Sequence, residues 1–253
     1  MNALRVWSKT DEVRMWLLCL PPGGGEARLY KDWAGRLPEG LGVAALELPG
    51  RGGRKSEPWA ASAEEAVADF ADAAAPLLER PVLLFGHSMG AVLALDLAHE
   101  LRARHGRQPL ALIAAASELS GRRGPEISPD ASDEELVRWL RDLGGTPEEL
   151  LASPEYLTEL LPVLRADLRV VTHRPRRATP PLDCPVHVYL GERDPMVDGR
   201  AARRDWAAHT TCEQPPRTFA GGHFFVQESA GAVLAALADD ADAAVGGRLL
   251  RSR

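Results

Sequence analysis

Cysteine is scarce in this sequence: Cys19, Cys184 and Cys212 are the only three, and they lie far apart. Thiols so few and so scattered suggest neither a disulfide framework nor a metal site. Cys19 and Cys184 sit in or beside apolar runs and read as small buried hydrophobes. No apolar run approaches the roughly 18 residues of a membrane span. The opening stretch, MNALRVWSKTDEVRMW, lacks the charged and apolar regions of a secretory signal. Positive charge is not in excess either. The 30 Lys and Arg face 36 Asp and Glu, a formal net charge of −6, which leaves no global basic footprint for nucleic acid. Repeats, low-complexity tracts and long linkers are missing as well. These absences leave a soluble cytoplasmic protein, expected as a monomer, whose 253 residues suit one domain with a small insert.

What is present alternates. MWLLCL (15–20), VAALEL (43–48), PVLLF (81–85), LALIAAA (110–116), PVHVYL (185–190) and RTFAG (217–221) read as strands. Most are nearly continuous in apolar character, as strands of a parallel sheet covered on both faces should be. Helical patterns fall at 62–79, 89–104, 200–208 and 229–243. Strand–helix alternation of this kind predicts an α/β fold with a mostly parallel central sheet flanked by helices.

One segment breaks the rhythm. From 132 to 175 helix follows helix, with no strand. SDEE (132–135) has the form of a capping box. TPEE (146–149) and SPEY (153–156) each put proline just inside a capping residue. Pro162 is expected to kink or split the third helix. A helical insertion between sheet strands predicts a lid, bounded at 119–178 within a single domain of residues 1–253.

The stretch LLFGHSMGAV (83–92) carries the chemistry. GHSMG fits G-x-S-x-G, with a strand before it and a helix after it, the context in which a serine stands on a sharp turn above the sheet edge. Ser88 is the candidate nucleophile. A hydroxyl needs a base, and the base needs an orienting carboxylate. Of seven histidines, His223 in AGGHFFV follows the last strand on a glycine-rich turn. His87 adjoins the nucleophile, and its ring is expected to point elsewhere. For the acid, HVYLGERDPMV places Asp194 in a loop at a strand's carboxyl end, where active-site groups gather in open α/β sheets. Asp198 is a weaker candidate, and Glu118 after the 110–116 strand is the main alternative. An acyl-transfer site also needs an oxyanion hole. The Met89 amide, directly after the nucleophile, is one expected donor. PPGGGEA (21–27) should supply the other. Pro22 has no N–H, so Gly23 is assigned, with Gly24 behind it.

With these residues in hand, the chain resembles the type II (editing) thioesterases of polyketide and non-ribosomal peptide assembly lines, which are α/β-hydrolases. The resemblance covers nearly the whole sequence, and LPGRGGR, LPVLRADL and GGHFF are its more specific parts. Ser88, Asp194 and His223 fall on the family's triad positions. The first loop departs from the family's Pro-His-Ala-Gly-Gly: Pro22 stands for the histidine and Gly23 for the alanine, which puts the loop's rigidity in question. The resemblance implies an acyl thioester on the phosphopantetheine arm of an acyl or peptidyl carrier protein, hydrolysed through an acyl-Ser88 intermediate with no metal or cofactor of the enzyme's own. It also implies that the helical insertion forms the acyl pocket and admits the arm.

Carriers are usually acidic, so docking calls for a local basic patch. Arg174, Arg176 and Arg177 are the first candidates, and Arg122 and Arg123 the second. Solvated surface arginines are the plainer reading of both. A carboxylesterase or an acyltransferase on the same scaffold, and a non-catalytic binding module, are the competing readings. The last would be marked by a lost triad member, and none is lost.

Overall fold

Apolar runs too short for helices become the strands of one open sheet in the computed structural model, which describes residues 2–119, 127–175 and 179–251. In chain order the elements begin β1 (Leu4–Val6), β2 (Met15–Leu20), β3 (Leu41–Leu46), α1 (Ala63–Ala74), β4 (Val82–His87), α2 (Met89–His105) and β5 (Ala111–Ala115). Then come α3 (Asp133–Leu143), α4 (Glu148–Leu151) and α5 (Pro154–Thr172). The chain closes with β6 (Leu182–Gly191), α6 (Gly199–Ala207), β7 (Thr210–Glu213), β8 (Arg217–Phe219), α7 (Phe225–Glu228) and α8 (Ala230–Arg251). The strand order is β1-β3-β2-β4-β5-β6-β7, and β8 lies beside β6 as well. Every pairing is parallel except β1 against β3.

Burial explains the composition of the strands. Leu17, Leu18, Cys19 and Leu20 are all fully buried, and they alternate between two faces. Leu18 and Leu20 join a core with Phe70 of α1, Leu97 of α2 and Trp206 of α6. Leu17 and Cys19 join a second core with Tyr30, Trp33 and α8 residues such as Val233 and Leu237. Side chains of a strand point to opposite faces in turn, so a sheet covered on both sides needs apolar residues at every position.

The structure adds to and trims the sequence expectations. Strands β1 and β7 were not legible, being three and four residues long and partly polar. The helix expected at 62–79 is α1 followed by a 3₁₀ turn over Ala75–Glu79, where Pro76 removes a helical donor. In the insertion, Ser132 and Glu135 form the expected capping box, and Ser153 caps α5 ahead of Pro154. Thr146 caps nothing: Pro147 is extended, at ψ 141°, and α4 begins after it. Pro162 does not split α5, which runs as one helix from Pro154 to Thr172. Residues 120–126 and 176–178, at the edges of the expected lid, lie outside the described residues. Among the described residues, no helix is long and apolar enough to cross a membrane.

Candidate active site

β4 ends in a turn so tight that only particular residues fit it. Ser88, between β4 and α2, has φ 55° and ψ −117°, a strained conformation for a residue with a side chain. Such strain costs on the order of 1–3 kcal/mol and persists only where neighbours over-determine it. Here the Ser88 amide donates to the Ala115 carbonyl of β5 at 2.8 Å, and its carbonyl accepts from Ala91 at 3.0 Å. The flanking glycines have a steric cause. A Cβ on Gly86 would lie 2.3 Å from the Ala91 Cα, and one on Gly90 would lie 2.2 Å from the Leu20 carbonyl oxygen. Both obstacles are backbone, so neither glycine tolerates a side chain.

Asp194 and His223 are brought together by strand pairing. Gly191 at the end of β6 registers with Phe219 at the end of β8. Beyond that point the two loops stay bonded, Arg193 N–H to the Gly221 carbonyl at 2.9 Å. His223 Nδ1 then lies 2.9 Å from Asp194 Oδ2, and His223 Nε2 lies 2.9 Å from Ser88 Oγ. Asp194 Oδ1 is fixed by the Met196 amide at 2.8 Å. A carboxylate only accepts, so Nδ1 carries the proton and Nε2 is left to accept from the serine hydroxyl. Asp194 and His223 are buried, at 7% and 4% exposure, which shields the relay from competing water.

The rival acids are occupied elsewhere. Asp198 Oδ1 caps α6 through the amides of Arg200 and Ala201, and Glu118 Oε2 accepts the Asp198 amide at 3.0 Å. His87 points away from Ser88, as expected. Its Nε2 donates to the His223 carbonyl at 2.8 Å, holding the backbone of the base. Burial, with the neighbouring His223 as a lesser cause, holds the His87 pKa down to about 3, so the ring is neutral.

Two small cavities of about 40 Å³ each meet at Ser88 and His223. One is lined by Gly23, Met89, Leu140, Leu164 and Phe224, the other by Val92, Glu118, Met196 and Val197, and Trp139 and Leu143 of α3 border both. Gly23 and Met89 therefore face the cavity that contains Ser88. A wider cleft, about 500 Å³, lies at the opposite, amino-terminal ends of β4–β6 beside Val82, Leu110 and Cys184 and contains none of these residues.

Two polar residues in this region have no individual role in the sequence, where RGGRK (51–55) reads only as a loop packing near the active-site mouth and Asp167 only as part of LPVLRADL. Arg51, in LPGRGGR, and Asp167, on α5, form a bidentate ion pair at 2.6 and 2.5 Å. They are 4% and 2% exposed. The signal was available: Asp167 shares the apolar face of α5 with Leu164, Leu168 and Val171, and a charge on such a face needs a partner. The expected docking arginines fare differently. Arg174 forks onto Asp96 of α2 with both bonds at 2.5 Å, a side chain 17% exposed that ties α5 to the scaffold rather than standing free. Arg176, Arg177, Arg122 and Arg123 lie outside the described residues.

Comparison with known proteins follows the same lines. Residues 16–241 match the family described as "Thioesterase domain". The chain is 36% identical over 91% of its length to the AMB antimetabolite synthetase AmbE of Pseudomonas aeruginosa, and spans 11% of that protein. It is 32% identical to the gramicidin S biosynthesis protein GrsT of Aneurinibacillus migulanus, over 86% of this chain and 85% of that one. Among solved structures it resembles the type II thioesterase BorB from the borrelidin biosynthetic cluster, with TM-score 0.83, 35% identity, and coverage of 94% of this chain and 96% of that one.

Proposed function

The chain belongs to the thioesterase domain family, and from that premise we propose that it is a type II thioesterase of polyketide or non-ribosomal peptide synthesis, hydrolysing acyl thioesters carried on the phosphopantetheine arm of carrier proteins. The observation that carries the reading is the continuous Ser88–His223–Asp194 relay, with two links of 2.9 Å, beside a cavity that Gly23 and Met89 also line.

In this reading Ser88 Oγ attacks the thioester carbonyl while His223 Nε2 takes the hydroxyl proton. Asp194 keeps the ring in the required tautomer and stabilises the imidazolium. The oxyanion sits between the Gly23 and Met89 amides. Collapse breaks the C–S bond, and His223 returns the proton to the departing thiolate. Water, deprotonated by the same nitrogen, then attacks the acyl-Ser88 ester, releasing the carboxylic acid and restoring the hydroxyl. The reaction consumes one water and no redox equivalent, so the scheme calls for no metal or cofactor.

α3–α5 serve as the lid that shapes the acyl pocket, since Trp139, Leu140 and Leu164 reach the cavities beside Ser88. The carrier is the partner, and the cytoplasm, where such synthases work, is the compartment. With Arg174 engaged, Arg176 and Arg177 remain the first candidates for docking the carrier, and Arg122 and Arg123 the second. The test is a panel of acyl groups presented on a carrier protein and on free pantetheine, read by mass spectrometry. Higher kcat/KM on the carrier supports the reading, because remote contacts then help position the thioester. Turnover of p-nitrophenyl esters with none of any carrier thioester would replace it with a carboxylesterase.

A further inference from the structure

The first loop, PPGGG, contains a four-residue turn, Pro22–Gly25, in which Gly25 N–H donates to the Pro22 carbonyl at 2.9 Å. Gly24, its third residue, has φ 73°, the left-handed value that a type II turn requires there. Type I and type II turns differ by a flip of the central peptide, and glycine at both central positions removes the steric preference between them. Gly23 and Gly24 have no side chains with which to hold the flip. A loop that presents an oxyanion donor needs an external clamp.

Arg51 and Asp167 grip both sides of it. Asp167 Oδ2 accepts the Gly24 amide at 2.7 Å, which fixes the central peptide. Arg51 donates to the Gly25 carbonyl at 3.3 Å and to both oxygens of Asp167. With the Gly24 and Gly25 amides engaged in this way, Gly23, a residue lining the cavity with Ser88, is the loop glycine whose N–H has no such partner among the described residues. Arg51 Nε is buried and has no partner among the described residues, so the guanidinium is aimed at the carboxylate at the expense of its own hydrogen bonding. The two side chains come from a loop and a helix 116 positions apart.

We propose that the buried Arg51–Asp167 pair is a positioning element of the reaction: it selects the turn conformation that points the Gly23 amide at the oxyanion, and it makes α5 a fixed wall of the site. The proposal rests on the acyl-transfer reading of this site. Neither residue touches the reacting atoms; both act through the loop.

Two double variants separate positioning from stability. Removing one partner alone strands a buried charge, whereas replacing both with apolar residues is often neutral or stabilising. Arg51→Met with Asp167→Leu removes the clamp. Arg51→Gln with Asp167→Asn removes the charges but keeps an amide oxygen for Gly24 N–H. The expected result is a fall of about 10²–10³ in kcat for the apolar pair, the usual effect of losing one oxyanion donor. Its KM should be little changed and its Tm should not fall. Affinity for a boronic acid, which occupies the oxyanion site on Ser88, should drop by a similar factor. The Gln/Asn pair should lose less than tenfold. An apolar pair with wild-type kcat and boronate affinity would overturn the proposal, as would losses that merely track Tm in both variants. Boronate binding needs no turnover, and the rates are also read on p-nitrophenyl esters. Failure of the carrier-thioester reading is therefore visible in the wild type and leaves the clamp under test.

Discussion

The sheet scaffold and the helical insertion solve different problems with different bonding. In the scaffold the strands β2 to β6 are buried on both faces, and the site residues stand at the carboxyl ends of β4, β6 and β8. Their positions follow from backbone register and from glycines that admit no Cβ. The insertion has a small core of its own, Leu136, Leu140, Leu151, Leu161, Leu164 and Leu168. Its outer ion pairs, such as Arg141–Glu148 and Arg169–Asp130, are exposed. Among the described residues it is tied to the rest by the ion pairs Arg51–Asp167 and Arg174–Asp96, by the exposed pair Lys55–Glu159, and by Leu143 and Val170, which pack into the scaffold core. Chemistry that needs atoms fixed within a fraction of an ångström is thus placed on the sheet. The insertion supplies walls of the cavities beside Ser88, through Trp139, Leu140 and Leu164.

Breaking the scaffold's part of the site should give the largest effect. Ser88→Ala should lower kcat by about 10⁶ and leave Tm near that of the wild type, measured by single-turnover kinetics and calorimetry. A variant with a tenth of the wild-type rate would remove Ser88 from the mechanism. Next, Asp194→Asn should cost about 10⁴ through the wrong histidine tautomer. Glu118→Gln, whose carboxylate serves the Asp198 amide, should change turnover little. The reverse outcome would move the acid to the end of β5.

Leucine truncation tests the comparison itself. Leu18→Ala in β2 and Leu140→Ala in α3 remove the same atoms from buried sites, each at a cost of about 2–5 kcal/mol. The first should lower the global stability reported by every slow-exchanging amide. The second should speed hydrogen exchange chiefly in α3–α5. Uniform acceleration by both would make scaffold and insertion one cooperative unit.

The buried His87 gives the scaffold an acid limit. Its pKa is held at about 3 against 6.5 for an ordinary histidine. As pH falls below 6.5 the unfolded chain takes up the proton first, so stability is lost progressively and the loss levels off near 3. His87→Gln, which can still donate to the His223 carbonyl but does not titrate, should flatten this limb of a denaturation-versus-pH series. An unchanged slope would show that His87 is protonated in the fold.

The smallest effects belong to the insertion's surface. Ser132→Ala removes the cap of α3 and should cost about 1 kcal/mol, while Arg141→Gln at an exposed, solvent-screened pair should cost less than that. Urea titration resolves the two, and a larger loss at Arg141 would mean that the surface pairs help hold the insertion in place.

Much of the scaffold and its site is legible in the sequence, for identifiable reasons. The central strands are unbroken apolar runs because both faces are covered. The serine turn is written in Gly86, Ser88 and Gly90 because backbone contacts exclude any other residue at the glycines. Capping sequences mark the starts of α3 and α5 because the unpaired amides there need a side-chain oxygen. β1 and β7 are not legible, since LRV and TTCE become strands only by pairing with β3 and β6. Arg174 reads as a free surface cation in the sequence because its partner, Asp96, is 78 positions away.

The sequence by itself determined the order of elements, the candidate nucleophile, its candidate base, a short list of acids headed by Asp194, and the family resemblance, because each leaves a local pattern of periodicity, glycine spacing or turn residues. Tertiary structure alone decided which carboxylate meets His223, since that depends on the register of β8 against β6. It alone decided which polar groups hold the PPGGG loop. Arg51 and Asp167 are separated by 116 positions, and no local pattern encodes a contact that exists only once the sheet and the insertion have packed together.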